Sequence, residues 1–181
     1  FGQAGSRAHE PGYDAMIQAS AGLMSITGPP LEEGGGPQKV GVAIADIMAG
    51  MYAANAILAA LHARERSGKG QRIDVPLYDS QVAWLANQNM NFLVVGTAPG
   101  RMGTAHPNLV PYQAFATSDG DLMLAVGNNR QFASVMDCIG RTELADDPRF
   151  ATNAARIEHR EEIVSIIGER LRGESTTHWL E

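Results

Sequence analysis

Gly41-Val-Ala-Ile-Ala-Asp46-Ile-Met-Ala-Gly50-Met-Tyr-Ala-Ala-Asn-Ala-Ile-Leu-Ala-Ala-Leu61-His-Ala-Arg64-Glu-Arg66 is the longest helical signal in the chain. The spacing predicts a helix that opens at Asp46 and runs to about Arg66. Ile47, Met48, Met51, Ala53, Ala54, Ile57, Leu58 and Leu61 make it apolar nearly all round, the pattern of a buried helix. Arg64 and Arg66 in its last turn suit the negative end of the helix dipole, and Ser67-Gly68 supplies a left-handed stop. An Asp at such a start reads first as a plain N-cap contributing about 1 kcal/mol. The approach, Gly41 to Ala45, is small and apolar, and Gly50 follows four residues later. That setting offers a second role: a carboxylate held ionised by the helix N-terminus, dry enough to attack an electrophile.

Upstream, Tyr13 to Ser25 carries apolar residues at helical spacing and is stopped by Gly28-Pro-Pro30. Glu33 to Pro37 follows as a glycine-rich surface loop. Downstream, Gln71 to Val75 alternates polar and apolar residues, which predicts a short strand, and Tyr78 to Leu93 predicts another helix. Residues 96–111 show no period and are rich in Gly and Pro, marking a linker or functional loop. Beyond it, Tyr112 to Thr117 and Leu122 to Val126 flank Ser118-Asp-Gly-Asp, a hairpin signal. Two amphipathic stretches then follow, Gln131 to Ile139 and Ile157 to Leu171, and Ser175 begins a last helical turn. The division expected is residues 1–95 as a helical part, 96–111 as a loop, and 112–181 as a small α+β domain.

The 181 residues suffice for one ordinary domain or two small ones. A net charge of −6 with scattered cations argues against a nucleic-acid partner. The best apolar run, Ile47 to Leu61, falls short of the roughly 20 residues a membrane-spanning helix needs. A lone Cys138 forms no internal disulfide and no cysteine-based metal site, and no zinc, EF-hand or phosphate-loop motif is present. The expectation is a cytoplasmic protein without a metal. Arg64, Arg66, Lys69 and Arg72 cluster at a helix C-terminus, the wrong end for an anion, and read as a solvated cap. The final Ser175-Thr-Thr-His-Trp-Leu-Glu181 is one turn of helix, too little to sustain itself, which suggests a piece of a longer protein.

A set of short motifs stands in a distinctive order. These are Tyr13-Asp14 with Gln18-Ala19 and Gly22; Thr27-Gly28-Pro29; Ala43-Ile-Ala-Asp46-Ile-Met-Ala-Gly50; and Arg64-Glu-Arg66-Ser-Gly-Lys-Gly-Gln71. They continue through Asp74-Val75, Arg101-Met-Gly103 with His106-Pro107, Pro111-Tyr112, Asp119-Gly120, and Asp147-Pro-Arg-Phe150 with Arg156. In this order they resemble class III CoA-transferases, the CaiB/BaiF family that includes formyl-CoA transferase-like enzymes, across essentially the whole chain. The resemblance implies an α/β fold of which this chain is an internal fragment: the helical part of the large domain plus a small α+β domain with a β-hairpin. It also implies a homodimer of interlocked, ring-like chains.

The resemblance further implies that Asp46 is the nucleophile. Its carboxylate would attack an acyl-CoA thioester, pass through an aspartyl anhydride and an aspartyl-CoA thioester, and deliver coenzyme A to a carboxylic acid acceptor. Tyr13 and Asp14 match positions lining the CoA and acyl site, and Arg101, Gly103 and His106 fall in a mobile loop laid over it. Oxyanion donors could come from Gly34-Gly-Gly36 or the Gly100 to Gly103 region. Read without the resemblance, Tyr13 is a rim or core aromatic, Asp14 a first-turn acid, His106 an exposed loop histidine and Gln18 structural. Two alternatives stay open. An α-methylacyl-CoA racemase shares the fold, but Tyr13 stands where its His is expected, and Asn128 and Asn129 cannot remove an α-proton. The other alternative is a non-catalytic packing or dimerisation module.

Overall fold

The computed structural model describes residues 1–181, which divide into two compact units, Phe1–Gly103 and Thr104–Glu181. The first unit is helical: α1 (Asp14–Ser20), α2 (Leu23–Ile26), α3 (Ile44–Ser67), α4 (Leu77–Trp84) and α5 (Ala86–Val95). The single helix expected over residues 13–25 is two, broken at Gly22, whose φ of +91° is open to glycine and unfavourable to other residues. The helix expected over 78–93 also breaks, at Leu85–Ala86, where Ala86 takes φ +48°. Residues 71–75 form no strand. The first unit contains no second strand to pair with, and a lone strand would leave its N–H and C=O groups to water.

The central helix differs from expectation in start and burial. It begins at Ile44, so Asp46 is its third residue rather than its cap, and it ends at Gly68, whose N–H donates to the Arg64 carbonyl at 2.8 Å. Only Ala45 and Ala49 are buried, and Ala53, Ala56 and Ala60 continue the same inward stripe half-buried. Alanine lets α4 and α1 approach α3 closely but fills little volume. The bulky residues Ile47, Met51, Ile57 and Leu58 point outward and are at least half exposed. The expectation of a buried helix fails for this reason: apolar content encircles α3, but the unit covers only the alanine side. At 24 residues α3 is also long and apolar enough to cross a bilayer, by length and composition, which the shorter stretch 47–61 was not. The core of this unit is small, built on Ile17, Ala21 and Ala45 with Phe1, Leu77, Tyr78 and Val82 packed around them.

The second unit is α+β. β1 (Tyr112–Ala116) pairs antiparallel with β2 (Asp121–Ala125), Tyr112 opposite Ala125 and Ala116 opposite Asp121. Four helices follow: α6 (Asn129–Cys138), α7 (Asn153–Glu158), α8 (Arg160–Leu171) and α9 (Thr176–Leu180). Three of them start on side-chain caps, Asn128 accepting from Gln131 N–H, Thr152 from Ala155 N–H and Ser175 from His178 N–H. The stretch expected as one helix over 157–171 is divided at His159. Inward residues at sheet and helix periods meet in one core: Val110, Phe115, Val126, Phe132, Met136, Ile139, Leu144, Phe150, Ile163, Ile167 and Leu171. Arg156, 1% exposed, crosses this core. Its guanidinium donates to the Val110 and Phe150 carbonyls at 2.7 Å and to Asn129 Oδ1 at 3.1 Å, and lies over the Phe132 ring. Burial pulls its pKa down from the usual arginine value.

Candidate active site

The N-terminus of α3 is assembled by residues from α1. A helix leaves its first N–H groups without intrahelical partners, and Ala43, at the cap position, has no side chain to help. Asp14 supplies the missing acceptor from 31 residues away in sequence: its Oδ1 takes the Ala45 N–H at 2.8 Å. The capping that sequence spacing assigns to Asp46 is therefore carried out by Asp14. The other carboxylate oxygen of Asp14, Oδ2, accepts from Gln18 Nε2 at 2.8 Å, one helical turn along α1. Gln18 is fully buried, and its Oε1 accepts the Val40 N–H at 2.8 Å while Nε2 also reaches the Val42 carbonyl at 3.4 Å.

Asp46 follows directly on the residue so held. Its carboxylate takes part in no hydrogen bond or ion pair and is exposed, which corrects the expectation of a dry acid within this chain. The physical reason lies in α3 itself: Ala45 and Ala49 face the core, and the intervening turn at Asp46 and Ile47 faces away from it. Two acids thus meet one helix start with different tasks, one fixed and one free.

The other sequence-derived candidates are distributed as follows. Tyr13 occupies the N-cap position of α1, beside Asp14, and is 67% exposed. Arg101 donates from Nε to the Pro29 carbonyl at 3.1 Å and from a terminal nitrogen to the Gly35 carbonyl at 3.5 Å. Gly103, at φ +59°, donates its N–H to the Gly28 carbonyl at 3.0 Å. Both thus hydrogen-bond to the 28–36 segment. That segment is itself tight: a side chain on Gly35 would meet the Pro29 carbonyl at 2.3 Å. The N–H groups of Gly34, Gly35 and Gly103 all have backbone acceptors, so none of the three is an oxyanion donor as the structure stands. His106 belongs to the second unit, where its Nδ1 accepts the Asn108 N–H at 3.0 Å and its ring lies 5.2 Å from that of Tyr112. Arg160 braces the same turn through the His106 and Pro107 carbonyls. Sequence reading missed the Asp14–Ala45 link and the reach of Gln18 to Val40. The only signal was the helical spacing of Asp14 and Gln18, which cannot show a partner so far along the chain. The residues contain no cluster of His, Cys, Asp or Glu suited to a metal ion.

The first unit thus offers an unpaired acid in the first turn of a helix whose start Asp14 fixes, and the chain continues into a small hairpin unit. The chain belongs to CoA-transferase family III, whose profile matches residues 1–181. It is 52% identical to the succinate–glutarate CoA-transferase of Agrobacterium fabrum over 92% of its length, and 46% identical to the mouse succinyl-CoA:glutarate CoA-transferase over 99%. It is 37% identical to the acetyl-CoA:oxalate CoA-transferase of Acetobacter aceti over its whole length. The chain spans 41% to 46% of these relatives. Among solved structures, a CaiB/BaiF family protein from Brucella suis matches with a TM-score of 0.76 at 46% identity, covering 99% of this chain and 47% of that one. Rv3272 from Mycobacterium tuberculosis matches with a TM-score of 0.82 at 30% identity, covering 99% and 46%.

Proposed function

We propose that the protein containing this chain transfers coenzyme A from an acyl-CoA to a carboxylic acid, both acyl groups being short dicarboxylic acids, with Asp46 as the covalent nucleophile. The names of the relatives at 46% and 52% identity support the substrate class. The observation that carries the catalytic assignment is the free Asp46 carboxylate on a helix start that Asp14 already caps.

In this reading the Asp46 carboxylate attacks the thioester carbonyl, the C–S bond breaks, and CoA leaves as a thiolate with an anhydride left behind. The thiolate then attacks the Asp46 carbonyl of the anhydride, releasing the donor acid and leaving an aspartyl-CoA thioester. The acceptor carboxylate attacks that thioester and expels the thiolate. The thiolate returns to the acceptor carbonyl, forms the new acyl-CoA and frees Asp46. Anhydride and thioester lie close in energy, so neither intermediate is a deep trap. Tyr13, Asp14, Arg101, Gly103 and His106 remain our candidates for the surroundings of CoA and substrate.

The exposed acid needs a cover to become dry, and so does the outward apolar face of α3. We assign that cover to the rest of the protein and a second subunit rather than to lipid, because Asp46 and Asn55 interrupt the outward surface. A cytoplasmic setting and the absence of a nucleic-acid partner complete the proposal, consistent with one free cysteine and a net charge of −6. The test is to denature the full-length protein during turnover with succinyl-CoA and glutarate, cleave with hydroxylamine and map the modified peptide. Modification at Asp46 is expected. Modification of a different acid removes the assignment, and rapid α-deuteration of an acyl-CoA without an acceptor acid points to an isomerase instead.

A further inference from the structure

Gln18 is the one fully buried polar side chain whose hydrogen bonds reach both segments that bracket the start of α3. From one side its Oε1 holds the Val40 N–H, and its Nε2 reaches toward the Val42 carbonyl, so the strand of chain leading into the helix is pinned. From the other its Nε2 holds Asp14 Oδ2, leaving Oδ1 aimed at the Ala45 N–H. An amide suits this place and a carboxylate or hydrocarbon does not, because the site needs one acceptor and one donor on a single planar head. Asp14 is the one titratable group hydrogen-bonded to it.

We propose that Gln18 is a positioning residue for the transfer reaction: by orienting Asp14 and the 40–42 segment it sets where the first turn of α3, and so the Asp46 carboxylate, stands. This rests on Asp46 being the nucleophile. Gln18 touches no substrate in this scheme, so its loss slows formation of the Asp46 adduct. A displacement near 1 Å at a nucleophile is enough to cost about 100-fold.

The test uses the full-length protein with Gln18→Leu and Gln18→Glu, and reads the single-turnover rate of adduct formation from succinyl-CoA across pH. Gln18→Leu is expected to react about 100-fold more slowly, at all pH values alike. Gln18→Glu sets two carboxyl groups against each other. When ionised it can no longer donate to Asp14, but when protonated it donates one O–H and still accepts from Val40. Its rate relative to wild type is therefore expected to recover as the pH falls through the apparent pKa of that pair. A packing role alone would give a ratio independent of pH, and that result overturns the proposal. If Gln18→Leu does not fold, the pH dependence of the Glu variant decides.

A second readout needs no chemistry: amide hydrogen exchange at Val40 and Ala45 is expected to speed up in the variants, and unchanged exchange at Ala45 also overturns the proposal. If the wild-type adduct maps to a residue other than Asp46, the function assigned above falls, whereas faster exchange at Ala45 would still show Gln18 holding the helix start.

Discussion

At the scale of single residues, Asp14 and Asp46 show how a position in sequence and a position in space divide one task. The sequence holds an acid near a helix start, and spacing alone makes that acid the cap. In the fold the helix starts two residues earlier, at Ile44, and its third residue is left without a capping role. The cap comes from an acid on another helix, which no local pattern can show. It follows that Asp46→Asn leaves stability within about 1 kcal/mol of wild type, since only the dipole term is lost. The same change is expected to lower transferase activity of the full-length protein by about 1,000-fold or more. Chemical denaturation and a steady-state assay check the pair of outcomes. A large loss of stability would mean that Asp46 is spent on holding the helix. The presence of an acid in the first turn of α3 was thus legible, whereas its exposure and its neighbour's role were not, because both depend on partners far along the chain.

Among the elements, those with both a cap and a clear period were easiest to read. Asn128 and Ser175 each take up the N–H three residues on and the sequence shows a helical stretch after each, whereas the helix that Thr152 caps was read only from Ile157 onward. The hairpin was legible within a residue at each end, since Ser118-Asp-Gly marks its turn. Splits at Gly22, Leu85 and His159 were missed because apolar spacing runs straight through them. The hairpin turn has a further task. Asp119 Oδ1 accepts from the Thr176 N–H at 2.7 Å and from the Thr176 and Thr117 hydroxyls, so the turn caps α9. Those donors, the Thr176 N–H foremost, hold the Asp119 carboxyl below its ordinary pKa of 3.8. A lowered pKa contributes stability above the ordinary value, and that stability is lost as the pH falls through the folded value. The second unit is therefore expected to weaken below about pH 3.8. Asp119→Ala should lower its melting temperature at neutral pH and flatten that acid limb, followed by circular dichroism.

Over the whole molecule, the two units differ in how much core they carry. The second gathers eleven buried apolar side chains, whereas the first centres on Ile17, Ala21 and Ala45. Ile57, Leu58 and Leu61 on α3, and Phe92 to Val95 on α5, stay in contact with water. Exposed apolar area of this kind marks a surface meant to be covered. The isolated 181-residue chain is expected to elute well above its mass of 19.3 kDa, and Leu58→Glu should shift it toward the monomer in light-scattering chromatography. A wild-type chain that runs as a monomer at high concentration would show that this face tolerates water. The strong apolar content of α3 was legible, but its sidedness was not. Alanine and leucine count alike as apolar in a pattern, and only packing distinguishes the thin side from the bulky one.

The alanine seam of α3 has a consequence during synthesis. In a chain newly made, the bulky side of α3 that carries Ile57 and Leu58 is open to water for as long as nothing covers it. A chain in that state would stay sticky, making this helix a place for chaperones to hold and a starting point for aggregates when they are scarce.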